Sequence, residues 1–187
     1  IFTGSYRLIG QNVNKNLPLV SWRNSEEISI LFYKKGKPYL VTKNINTGKN
    51  ELKKFITFDD IHSFDYCDVT DDMVISAVQH GRSDIYIYDY KKDRARQITK
   101  DIYGDFHPHY LPNSQKIVWS SNRQKDTLKS DVGSYKNIFN HYKLFLYDDL
   151  SKDKTLKRLV DAEVSALKPI PINETQFYFL GEHDNQQ

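Results

Sequence analysis

Two histidines bracket a proline in "DFHPHYLPNSQKIVWSSNR", which runs from Asp105 to Arg123. On an extended strand, side chains two residues apart fall on one face, so His107 and His109 are a candidate pair of transition-metal ligands. The same stretch closes on Ser120, Ser121, Asn122 and Arg123, a run of donors that suits an anion. Elsewhere Cys67 stands beside Asp68, "DVTDD" at 68–72 gathers carboxylates, and "KKDRARQ" at 91–97 gathers cations.

Each candidate has a chemical requirement that the chain does not meet. A metal site needs a third and usually a fourth ligand, and the positions matching the histidines in the other repeats hold Ser21, Asp65 and Lys168. These are not a ligand set, so no metal is expected. The acidic run lacks the Asp-x-Asp-x-Asp-Gly spacing of a dedicated calcium loop. A single cysteine excludes an intrachain disulfide and a multi-cysteine zinc site, and Cys67 reads as a buried, inert thiol. No serine sits in a Gly-x-Ser-x-Gly elbow. The basic run at 91–97 reads as a solvated turn. Net charge is +3 with both signs interspersed, which does not point to nucleic acid. The sequence therefore implies no catalytic residue, no cofactor and no metal.

The elements that carry these residues repeat. Four stretches share a short strand, a polar turn and an apolar strand: 19–33, 64–78, 106–121 and 167–181. Aligned on Ile28, Val74, Ile117 and Phe177, they are spaced by 46, 43 and 60 residues. The long spacing contains "QKDTLKSDVGSYKNIFN" at 124–140, a polar insertion of 17 residues without which the period returns to 43. A third strand follows in each full unit (38–45, 83–90, 142–149), with alternating side chains, and then a short fourth (51–58, 94–100, 156–162). The 13 tyrosines and 10 phenylalanines favour pleated, half-buried surfaces. Four antiparallel strands in this period make a blade of a β-propeller. The expected fold is all-β, an arc of about three and a half blades. Residues 1–17 form a lead-in or the end of a preceding blade, with "NVNKN" at 12–16 a linker. Residues 18–63, 64–105 and 106–165 form the blades, and 166–187 a half blade.

On these residues a resemblance appears. "FHPHYLPNSQKIVWSSNR" resembles the first half of the repeat of TolB-like propellers, WD-repeat-like blades of bacterial cell-envelope proteins. "SDIYIYDYKKDRARQIT" is similar to the second half. The likeness is closest over 64–123. It implies that Pro108 and Pro112 flank an inner strand, that Asn113 and Ser114 form the turn, and that Val118 and Trp119 face opposite sides of the blade. The histidines are then structural or channel-facing. The resemblance implies a periplasmic or envelope setting, with docking onto other envelope proteins. Propellers that gate prolyl-oligopeptidase-type and tricorn-type peptidases share much of the pattern, and a substrate-gating role is the alternative.

An arc this short leaves open ends, so closure by further chain or by a partner is expected. There is no initiator methionine, no signal-peptide pattern, and no apolar run long enough to span a bilayer, so this segment is not expected to insert into a membrane. The insertion is the one part a blade does not need. Its aromatic residues Tyr135 and Phe139, with Tyr142 just beyond, are the candidate partner-binding residues.

Overall fold

A computed structural model describes residues 18–55, 58–128, 141–151, 154–160 and 165–182. They form fourteen strands, and the described residues contain no helix. The first sheet is β1 (Leu19–Trp22), β2 (Glu27–Lys34), β3 (Lys37–Asn44) and β4 (Asn50–Lys54). The second is β5 (Asp60–Tyr66), β6 (Met73–Gln79), β7 (Arg82–Asp89) and β8 (Arg94–Gln97). The third is β9 (Asp105–Tyr110), β10 (Lys116–Ser121), β11 (Lys143–Asp148) and β12 (Leu156–Arg158). Last, β13 (Ser165–Pro171) pairs with β14 (Phe177–Glu182) alone. Every pairing is antiparallel between consecutive strands, the meander of a propeller blade.

Turn chemistry sets the register. Lys35 and Gly36 both have positive φ, 53° and 70°, and so do His80 and Gly81, 55° and 78°. Paired left-handed residues make the tight turn whose twist matches antiparallel strands, and glycine takes that conformation without cost. These turns join the second and third strands of the first two blades. In the third blade that tight turn is replaced by the insertion between β10 and β11.

The blades stack face to face, which explains why the middle strands are apolar on both sides. Met73, Ile75 and Ala77 of β6 pack towards the first blade, with Leu31, Leu40, Phe55 and Phe58. Val74, between them in sequence, packs the other way, with Ile117, Trp119, Phe145 and Tyr147. Val118 faces the half blade with Leu144 and Ala166. Alternate residues of one strand thus serve two seams. Polar ties cross the same seams. Arg23 donates to both carboxylate oxygens of Asp71 at 2.7 and 2.6 Å, and the Asp68 carboxylate accepts the Asn113 amide at 2.8 Å.

Candidate functional site

The inner strands β5, β9 and β13 each carry a bulge. Pairing slips between Ile61 and Ser63 on β5, opposite Trp119 on β9, and between Leu167 and Ile170 on β13. The displaced residues are His62, His107 with Pro108, and Lys168 with Pro169. His107 and Lys168 both have left-handed φ, 54° and 50°. The bulge removes the basis of the same-face expectation for His107 and His109. It inserts a residue between Phe106 and His109, so the two-residue alternation is broken there.

What this rim brings together is a set of basic groups from adjacent blades. The His107 imidazole feels Lys168, His109 and His62, and burial combined with these neighbours pushes its pKa down to about 4. Its Nδ1 is buried with no hydrogen-bond partner. The Phe106 ring packs beside it, 5.3 Å from the His62 ring and 6.1 Å from that of His107. His109 is held apart by Asp65, Nδ1 to Oδ2 at 3.3 Å. Asp65 also accepts from the Ser21 hydroxyl at 3.2 Å and from the Tyr110 amide at 3.1 Å. A carboxylate with three such partners orients strands. Among the described residues, no three His, Cys, Asp or Glu side chains group as metal ligands.

The Ser-Ser-Asn-Arg run builds a second polar centre, and it lies in the interior. Arg123 is fully buried, and so is Asp105. Nη2 of Arg123 donates to Asp105 at 2.8 and 3.0 Å, Nε to the Ser121 hydroxyl at 3.0 Å, and Nη1 to the Thr127 carbonyl at 3.2 Å. Nη1 also stands 3.2 Å from Asp101. Trp119 Nε1 donates to Asp105 at 3.0 Å. Burial works against the Arg123 charge, but Asp105 and Asp101 outweigh it and hold the guanidinium protonated. The guanidinium thus spends its donors inside the protein. Neighbouring Asp84, on β7, accepts from Gln97 at 2.9 Å and Thr99 at 3.3 Å.

Asp84 and His107 give a pH test. Burial, with the charges of Asp105 and Asp101, pushes the Asp84 pKa up to about 6. From the ordinary carboxylate value near 4 up to about 6, the folded chain keeps a proton that the unfolded chain has released, so this group's contribution falls as pH rises. His107 is opposite: between about 4 and its ordinary 6.5, only the unfolded chain holds the proton, so its contribution rises with pH. The two trends offset one another in the wild type. Asp84→Asn should leave the rising one, so urea stability of that variant should climb relative to wild type by roughly 1–2 kcal/mol between pH 4.5 and 6.5. Parallel profiles for the two proteins would contradict the assignment.

The other sequence candidates are placed as follows. Tyr135 and Phe139 lie outside the described residues, as does the 12–16 linker. Tyr142 is half-buried, its ring 5.8 Å from Phe106 and its carbonyl accepting the Ala166 amide at 2.7 Å. Cys67 is buried in the seam between the second and third blades. Residues 68–70 form a turn, with Asp71 committed to Arg23. In the basic run, Lys91–Asp93 turn, and Arg96 reaches Asp149 at 2.5 Å. The start of the insertion is less detached than its composition suggests. Leu128 packs against the seam, and Asp126 accepts the Arg158 amide at 3.1 Å.

No protein-family model and no curated protein matches the chain. Solved structures do. TolB from Acinetobacter baumannii matches with a TM-score of 0.60 and 15% identity, over 81% of this chain and 34% of that one. A putative TolB from Agrobacterium tumefaciens matches with a TM-score of 0.56 and 18% identity, over 79% of this chain and 50% of that one. A looser likeness, TM-score 0.47 and 11% identity over 89% of this chain and 63% of that one, is to the propeller domain of the Trilobed protease from Pyrococcus furiosus. The matched part thus spans between a third and a half of the two TolB structures. With stacked four-stranded meanders and these neighbours, the chain is an arc of a β-propeller with the fold of TolB.

Proposed function

We propose that the chain is a non-catalytic protein-interaction scaffold, part of a TolB-like propeller in the periplasm or cell envelope. The observation that carries this reading is where the strongest charges go. Arg123 is paired with Asp101 and Asp105 in the interior, and Arg23, Asp71 and Asp65 tie one blade to the next. The polar groups are spent on holding blades in register, and the faces remain for contact. Exposed apolar side chains at the two ends of the arc, Val20, Trp22 and Leu52 at one and Ile170, Tyr178 and Leu180 at the other, suit cover by further blades.

The partner-binding part of the proposal falls on the insertion, through Tyr135 and Phe139, with Tyr142 at its base. The test is a chain in which 129–139 is replaced by a short turn, sparing Thr127 and Leu128, which contact the blade. Co-purification from envelope extracts should lose the partner while the circular dichroism spectrum stays that of the wild type. Retained co-purification would remove the insertion from the interface. If the wild type retains no envelope protein at all, the scaffold reading fails.

A further inference from the structure

The ends of three neighbouring inner strands enclose a cleft. Its volume is about 270 Å³, and its lining comes from β5, β9 and β13 and from the turns that follow β5 and β9. Asp65, His109 and Ile170 hold the matching place in these strands, the last but one before pairing ends. Each blade thus brings a different group to one level: a carboxylate, an imidazole and an aliphatic side chain. Small-molecule pockets run to roughly 300–1,000 Å³, so this cleft suits a single side chain better than a cofactor.

The lining selects the charge of its occupant. Asp68 is exposed, its Oδ2 accepts the Asn113 amide at 2.8 Å, and it has no ion-pair partner among the described residues. His109 sets Nδ1 3.3 Å from Oδ2 of Asp65. That carboxylate can only accept, so the proton of the neutral ring belongs on Nδ1, and Nε2 is left as an acceptor. No lysine or arginine lines the cleft. Its ionisable groups therefore call for a positively charged donor. Leu111, Pro112 and Pro171 supply an apolar wall. A bare metal ion has no cage here, since no three His, Cys, Asp or Glu side chains group as ligands among the described residues. A charged head on an aliphatic stem meets both halves of the lining, and lysine and arginine have that form.

We propose that this cleft receives a lysine or arginine side chain of a partner protein. The head sits at Asp68 and the acceptor nitrogen of His109, which Asp65 holds in place, and the stem lies along Leu111, Pro112 and Pro171. The inference rests on the scaffold reading for the source of that side chain. It adds a contact on the inner strands, distinct from the insertion between β10 and β11.

The probes are capped tripeptides, acetyl-Gly-X-Gly-amide with arginine, lysine or norleucine as X. Each is titrated at millimolar concentration into the full chain while the ring-proton NMR signals of His109 are followed. His109→Gln identifies those signals by their loss. The arginine and lysine peptides should shift them along a saturating curve. The norleucine peptide has the stem without the charge and should bind about tenfold more weakly. Asp68→Asn keeps an acceptor for the Asn113 amide and removes the charge. That variant should fold as the wild type does by circular dichroism and bind the basic peptides about threefold more weakly. His109 signals unmoved by both basic peptides, equal binding of the norleucine peptide, or unchanged binding in Asp68→Asn would each overturn the proposal. If the peptides fail while an envelope protein still co-purifies, the scaffold reading stands without this contact. If they bind while nothing co-purifies, the cleft keeps its basic side chain and the scaffold reading falls.

Discussion

Arg123→Met should lower the stability of the chain by about 3–5 kcal/mol, the cost of breaking a buried ion pair from one side. The guanidinium bonds Asp105 twice, lies 3.2 Å from Asp101, and reaches the Ser121 hydroxyl and the Thr127 carbonyl. Methionine fills part of the volume and satisfies none of these acceptors. Two carboxylates in the interior must then take up protons or draw in water, so the loss should be larger at pH 8 than at pH 5. Urea unfolding followed by tryptophan fluorescence measures it. Adding Asp101→Asn and Asp105→Asn to the same chain should restore a substantial part of the loss, because the cluster is then neutral throughout. A single variant within about 1 kcal/mol of the wild type would show that the cluster is not a keystone of the seam.

Trp119→Ala should cost a similar amount, about 3–5 kcal/mol, by a different route. The indole is fully buried in the seam between the second and third blades, against Tyr147 at 6.2 Å between ring centroids, and its N–H caps Asp105. Removing it leaves a cavity between sheets and an orphaned acceptor. Trp119→Phe should recover most of the packing and lose the hydrogen bond, leaving about 1–2 kcal/mol. Trp22→Ala is the control: that indole is 53% exposed, and the change should stay within about 0.5 kcal/mol. Equal losses at the two tryptophans would mean that the seam assignments are wrong. Arg123 and Trp119 share Asp105, so their combined loss should fall short of the sum.

The blades were legible because a sheet packed on both faces writes itself into the sequence. Val118 and Trp119, predicted to face opposite sides, serve two different seams. The arc of four-stranded blades followed from the period, and the period survived the insertion because the strands on either side kept their pattern. The polar centres were less legible. Arg123 read as part of a donor run that suits an anion, since arginine is seldom fully buried and its partners Asp101 and Asp105 precede it by 22 and 18 residues. The signal that could have found them is the aspartate opening the inner strand together with the arginine closing the next, each unusual at a buried strand end. The rim was hidden by the bulges. A period-two reading assigns His107 and His109 to one face, and one extra residue cancels that rule. Pro108, in the interior of a strand pattern, was the available hint, because proline in a sheet is confined to edges and bulges.

The outermost strands have a consequence for how copies of the chain meet. β4, β8 and β12 are five, four and three residues long, and they carry Lys53, Lys54, Arg94, Arg96, Lys157 and Arg158. A short, cationic edge offers few backbone groups to a neighbouring molecule and repels a like one. β14 has six residues and pairs with β13 alone among the described residues, and it leaves Tyr178 and Leu180 exposed. Molecules of this chain at high concentration should therefore avoid lateral sheet-to-sheet fusion around the periphery.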